Sequence, residues 1–176
     1  MNRKLIGTCL AAAFLAVVAL TTSVANADVK DSWITTKAKI ALLTSDGFSV
    51  NGANVDTIDG NVTIHGKVST DADKTRAEQT VRQVDGVKSV MNLLQVVPDA
   101  HKKTVAANDS EIKDQVQAQL KTDKRLDDIK VASVNNGLVL LAGKAHGLEE
   151  KLMAIESAYT VSGVRRVASE IETVEN

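Results

Sequence analysis

The sequence predicts an α+β protein: a tandem repeat of two small α-β-β-α-β units, each with two helices on a three-stranded mixed sheet. Three echoes carry that reading. Asp31-Ser32-Trp33-Ile34 returns as Asp109-Ser110-Glu111-Ile112. Gly60-Asn61-Val62-Thr63-Ile64-His65-Gly66-Lys67-Val68 returns as Gly137-Leu138-Val139-Leu140-Leu141-Ala142-Gly143-Lys144-Ala145. Val84-Asp85-Gly86-Val87 returns as Val161-Ser162-Gly163-Val164. The offset is 78 at the start and 77 from the first glycine onward, so a whole small domain is duplicated rather than a short solenoid unit. What both copies keep reports the fold, and what one copy alone keeps is where function can reside.

The elements follow in chain order. Residues 1–27 carry Arg3 and Lys4, the apolar run Leu10 to Leu20, and Ala25-Asn26-Ala27 before Asp28. That order predicts a signal peptide cleaved after Ala27 and a periplasmic destination. The apolar run is too short to read as a membrane span. Cys9 lies inside this leader, so the exported chain has no cysteine, which excludes disulfides, thiol chemistry and cysteine-based metal sites.

Repeat 1 is placed at residues 31–97. Ile34, Ala38, Ala41 and Leu42 fall on one face of a helix, with Asp31-Ser32 as N-cap candidates. Two strands follow near Ala53–Ile58 and Asn61–Val68, joined by Asp59-Gly60, a tight-hairpin signal. In the second strand Val62, Ile64, Gly66 and Val68 alternate with polar residues, which predicts one wet sheet face. A second helix begins at Thr70, with Asp73 completing a capping box. Ala77, Val81 and Val84 form its buried stripe, Gly86 is its predicted C-cap, and a strand near Val87–Val97 closes the unit.

Repeat 2, at residues 109–175, reads the same way. Its first helix carries Ile112, Val116 and Leu120 behind Asp109-Ser110, and its strands lie near Lys130–Val134 and Leu138–Ala145 around Asn136-Gly137. A second helix with Ala154, Ala158 and Val161 ends at Gly163, and a last strand runs near Val164–Val174. Residues 98–108, with the only proline of the chain, read as a polar linker separating two cores.

The succession of strand, glycine, lysine and a helix of the form A-x-x-x-[AV]-x-x-V-x-G-V-x-x-V resembles the BON domain of bacterial envelope proteins. The resemblance covers nearly the whole exported chain. It rests on Gly60, Gly66, Gly86, Val87 and Val90, and on Gly137, Gly143, Gly163, Val164 and Val167. All of these read as structural. The resemblance implies a non-enzymatic role: association with phospholipid membranes, or chaperone-like protection of envelope proteins under osmotic stress.

The residues themselves give no catalytic constellation. His65 on the polar parity of a strand, His101 in the linker and His146 before a helix all read as solvated side chains without a ligand or triad partner. Asp71 and Asp73, like Glu149 and Glu150, sit in the first turn of a helix, where acids favour the dipole. No catalytic, cofactor or metal residue is predicted, and no small-molecule substrate. The net charge of −1 becomes about −3 without Arg3 and Lys4, and no basic block suits nucleic acid.

The asymmetry between the copies is more informative. Leu148, Leu152, Ile155 and Tyr159 stack along one stripe of the second helix of repeat 2, roughly 120° from its core stripe at ~100° per residue. The aligned residues of repeat 1 are Asp71, Thr75, Glu78 and Arg82, all polar. Three destinations stay open for this stripe: repeat 1 or a second copy, a membrane surface or unfolded client, or a wider core. Lys144, Lys151, Arg165 and Arg166 are the cations that anionic headgroups would meet, whereas Glu149, Glu150 and Glu156 would repel them. The expected partners are therefore a phospholipid surface or envelope proteins, with an adaptor docking a protein partner through repeat 2 as the alternative. Trp33, replaced by Glu111 in repeat 2, reads as rim packing against Phe48 or as an interfacial anchor.

Overall fold

A computed structural model describes residues 23–45 and 52–174. The leader up to residue 22 and Phe48 lie outside the described residues. In repeat 1, α1 (Ser23–Thr44) is followed by β1 (Ala53–Ile58), β2 (Asn61–Val68), α2 (Asp71–Arg82) and β3 (Ser89–Val96). In repeat 2, α3 (Lys102–Leu120) precedes β4 (Ile129–Asn135), β5 (Leu138–Ala145), α4 (Leu148–Tyr159) and β6 (Arg166–Thr173). Each sheet is mixed. The first two strands pair antiparallel, and the third lies parallel to the second after the helical crossover, in the orders β1-β2-β3 and β4-β5-β6.

Local chemistry explains these elements. Both hairpin turns hold two consecutive residues at positive φ, Asp59 at 52° with Gly60 at 78°, and Asn136 at 49° with Gly137 at 74°. This is the backbone twist that joins antiparallel strands through two residues. At the start of α2, Thr70 Oγ1 accepts from the Asp73 N–H at 3.1 Å, one half of the capping box expected from the sequence, while the Asp73 carboxylate accepts from the Thr70 hydroxyl at 2.8 Å. Gly66 and Gly143 sit where strands approach so closely that a Cβ would fall on the carbonyl oxygen of Gly52 or Asp128. Two cores result. Ile34, Ala38, Leu42, Ala77 and Val81 cover Val55, Val62, Ile64 and Leu94, and the counterparts in repeat 2 cover Val131, Val139, Leu141 and Ile171.

Four expectations need correction. Asp31 and Asp109 are not N-caps, because α1 and α3 begin well before them. Each carboxylate instead reaches across to its own hairpin. Asp31 accepts the N–H groups of Asp59 and Gly60 at 2.6 and 2.9 Å, and Asp109 those of Asn136 and Gly137 at 2.8 and 3.0 Å. Gly86 and Gly163 are not C-caps either, since α2 and α4 end at Arg82 and Tyr159 and are capped by Gln83 and Thr160. The glycines lie in the turn beyond, where a Cβ would press on Ile34 or Ile112. The residues read as a linker, 98–108, are helical beyond Pro98: a 3₁₀ turn over Asp99–His101 runs straight into the first turns of α3.

The fourth correction concerns the open sheet faces, which are not both wet. Thr63 and His65, on the face of β2 turned away from the helices, are each only 5% exposed. Leu138 and Leu140 of β5 point away from their own helices and are also buried. Neither pair belongs to a helix-side core, and β2 packs against β4. The repeats therefore meet through their sheets, with helices outermost. At the rim Lys67 Nζ lies 2.8 Å from Asp109 Oδ2, an ion pair between repeats. The solvated reading of His65 fails for the same reason. Its Nε2 donates to Asp56 Oδ2 at 2.8 Å, and its buried Nδ1 has no hydrogen-bond partner among the described residues.

Candidate docking surface

The geometry of α4 separates the residues of the apolar stripe. Its core side is set by Ala154 and Ala158, both fully buried, where small side chains let the helix sit close on the sheet. Leu148, Leu152 and Tyr159 project elsewhere and are 64%, 56% and 51% exposed. Ile155 does not join them fully, since it is half-buried and packs against the core of repeat 2. The Tyr159 hydroxyl accepts from the Val167 N–H at 3.2 Å, which ties the side chain to β6. Glu149 and Glu156 border the stripe and are exposed.

The four cations do not form one patch with it. Lys151 is spoken for, because its Nζ donates to the Ile171 carbonyl at 2.8 Å. Lys144 is exposed at the far end of β5, before α4 begins. Arg165 and Arg166 lie near the other end of α4 and line a cleft of about 290 Å³ between the repeats, with Lys74, Gln95, Asn136 and Leu138. Thus the three apolar side chains come together on one surface, and the basic residues are distributed around it.

The structure also shows an apolar surface that the sequence reading passed over. Val29, Trp33, Ile40 and Leu43 are all exposed on α1, spaced so that they fall on one side of the helix. That side is opposite Ile34, Ala38 and Leu42, the buried one. Their counterparts in repeat 2 are Ala107, Glu111, Ala118 and Lys121. The internal comparison that exposes the α4 stripe was the available signal. Trp33 stands 62% exposed.

Titration is perturbed at a few carboxylates. The hydrogen bond from His65 holds the Asp56 carboxyl below its ordinary range against the opposing effect of burial. Arg82 and Asn92 do the same for Glu78. Both are ordinary paired acids. Among the described residues no group of His, Cys, Asp and Glu is arranged to hold a metal ion, and no helix is long and apolar enough to cross a membrane.

Comparison with known proteins gives two kinds of likeness. The BON domain matches at residues 30–98 and again at 108–175. Osmotically-inducible protein Y of Escherichia coli (strain K12) is 30% identical over 146 residues, covering 81% of this chain and 72% of that protein. Two solved structures of CdsD, a structural protein of the Type III secretion system of Chlamydia trachomatis, also align. One is of its C-terminal domain, at 14% identity and TM-score 0.34, over 82% of this chain and 67% of that one. The other aligns at 12% identity and TM-score 0.35, over 80% and 92%.

Proposed function

Because the chain belongs to the BON domain family, we propose that it is a non-enzymatic envelope protein of the osmotic stress response that holds apolar segments of destabilised envelope proteins on α4. The single observation behind this is the exposed set Leu148, Leu152 and Tyr159, which repeat 1 replaces with Asp71, Thr75 and Arg82. One fold carries either set, so the exposed Leu148 and Leu152 side chains are not there for folding, whereas Tyr159 also serves the fold through its hydrogen bond to Val167. Clustered exposure of this kind marks an interaction site. Glu149 and Glu156 beside the stripe favour neutral or basic segments and repel anionic headgroups. Export rests on the leader, and the stress assignment on the likeness to an osmotically inducible relative.

A second reading, contact with a phospholipid surface, draws on α1. Its outer side offers Trp33, Ile40 and Leu43 with Lys30 and Lys39 nearby, the composition of an interfacial helix. The two readings separate in one experiment. Binding to a permanently unfolded, reduced and alkylated protein and cosedimentation with phosphatidylglycerol vesicles are measured for the wild type and for Leu148→Asp/Leu152→Thr. The expected result is a folded variant that loses at least about tenfold in affinity for the unfolded protein, since two of the three exposed anchors are gone. Vesicle binding should not change. Equal affinity of variant and wild type for the unfolded protein overturns the α4 assignment. Binding only to folded envelope proteins identifies an adaptor instead.

A further inference from the structure

We propose that copies of this chain associate head to tail, the outer side of α1 in one copy covering the α4 stripe of the next. The inference rests on the reading of α4 as a docking surface and names an occupant that shields it when no client is present. Each repeat exposes one large apolar stripe, and the two stripes lie on different helices. Repeat 1 exposes Val29, Trp33, Ile40 and Leu43 on α1, and repeat 2 exposes Leu148, Leu152 and Tyr159 on α4. At ~1.5 Å rise per residue these run about 21 and about 16 Å, so one stripe spans the other.

Charge selects the pairing. The α1 stripe is bordered by Lys30, Lys37 and Lys39, and the Asp31 carboxylate is held by its hairpin. Lys37 shares its charge with Asp85, while Lys30 and Lys39 make no ion pair among the described residues. The α4 stripe is bordered by Glu156, which makes no ion pair among the described residues, and by Glu149, which shares its charge with Arg125 at 3.8 Å. Packing α1 on α1, or α4 on α4, would set like charges beside each other, whereas α1 on α4 sets lysines beside glutamates. The α1 and α4 stripes both stay exposed in the single chain, so they do not cover each other there. A contact of α1 on α4 between copies is heterologous, because each copy offers one of each, and it propagates as a chain or closes as a ring. One helix pair buries less than the roughly 1,200 Å² of a stable complex, so association is weak and concentration-dependent.

The test uses protein purified as the cell exports it, and two variants that each borrow residues from the other repeat. The α1 variant is Trp33→Glu/Ile40→Ala and the α4 variant is Leu148→Asp/Leu152→Thr; circular dichroism confirms that both fold. In sedimentation velocity the wild type should grow in size with concentration, and each variant alone should stay monomeric. An equimolar mixture of the two should form a dimer and nothing larger, because one intact α1 then meets one intact α4. Emission from Trp33, the only tryptophan, should shift to the blue as the wild type associates. Association of the α1 variant alone would reveal α4 on α4 and overturn the proposal, as would a wild type that stays monomeric. The α1 variant keeps the client surface. If it is monomeric and still binds the unfolded protein, both readings stand. A monomeric wild type that binds the unfolded protein refutes only head-to-tail packing.

Discussion

Replacing Asp109 with alanine is expected to destabilise both repeats together, by about 3–5 kcal/mol. The carboxylate is almost inaccessible, 6% exposed, and makes three contacts: the N–H groups of Asn136 and Gly137 at 2.8 and 3.0 Å, and Lys67 Nζ at 2.8 Å. Removing it orphans two backbone donors, each costing about 1–3 kcal/mol when water cannot replace the acceptor. It also leaves the Lys67 ammonium, in a side chain 19% exposed, without its counter-ion. Asp31→Ala breaks the equivalent hairpin contacts in repeat 1, in more open surroundings and with no lysine attached, and should cost about 1–2 kcal/mol. Adding Lys67→Met to Asp109→Ala should recover part of the loss, because the stranded charge is removed as well. Hydrogen exchange read by mass spectrometry resolves the two halves. Asp109→Ala should lower protection in β1–β3 as well as in β4–β6, though the substitution lies in repeat 2. Protection lost in β4–β6 and kept in β1–β3 would refute the coupling and restore the picture of two independent cores.

Three further outcomes are expected. Gly143 and Gly147 share a positive φ, 133° and 100°, but a Cβ at Gly143 meets the Asp128 carbonyl while nothing lies within 4 Å at Gly147. In urea unfolding Gly147→Ala should cost about 1–2 kcal/mol from backbone strain alone, and Gly143→Ala about 4 or more. Asp56, with its carboxyl held below the ordinary 3.8 by the His65 hydrogen bond, contributes stability that is present above that value and lost as pH falls through the lowered one. Thermal melts between about pH 5 and pH 2 should therefore show Asp56→Asn losing less stability than the wild type over that range. Ile155→Glu should cost about 1–3 kcal/mol because this side chain packs on the core. Leu152→Thr, at a 56% exposed site, should stay within about 0.5 kcal/mol in the same melts.

The backbone of each repeat was legible because every signal occurred twice. Period-two alternation located β2, the turn signals Asp59-Gly60 and Asn136-Gly137 placed the hairpins of β1 with β2 and β4 with β5, and Thr70 with Asp73 marked the start of α2. The errors came where a residue serves something distant in sequence. An acid ahead of an apolar helical run reads as a cap, whereas at Asp31 and Asp109 the helix continues upstream and the carboxylates cross to the hairpins. Thr63 and His65 look like residues for water, yet packing between repeats buries them. One signal did point to that interface. Leu138-Val139-Leu140-Leu141 is apolar at four consecutive positions, so β5 is apolar on both parities, as in a strand covered on both faces. The α4 stripe was found by comparing repeats. The α1 stripe escaped because a helix apolar on opposite sides shows only its core stripe when read for one face.

The contact between the repeats is itself unequal, and this bears on what duplication has achieved. Were the two halves docked symmetrically, Lys144 would reach Asp31 as Lys67 reaches Asp109, since each pair occupies equivalent positions. Lys144 is instead exposed and makes no ion pair among the described residues. At the buried face repeat 1 supplies Thr63, His65 and the Lys67 cation, while repeat 2 supplies Leu138, Leu140 and the Asp109 anion. The set of repeat 1 would suit a copy of itself poorly: Asp31 of the other copy could take the place of Asp109 beside Lys67, but the buried Thr63 hydroxyl and His65 imidazole would face their like in place of apolar side chains. The repeats have therefore diverged at the surface by which they hold each other as well as on α1 and α4. A chimera carrying two copies of repeat 1 should keep each small core, because both cores use the same residue pattern, and lose the sheet-to-sheet contact. Analytical ultracentrifugation and hydrogen exchange would show it as two weakly protected units. A chimera as well protected as the native chain would mean that the interface does not depend on the residues in which the repeats differ.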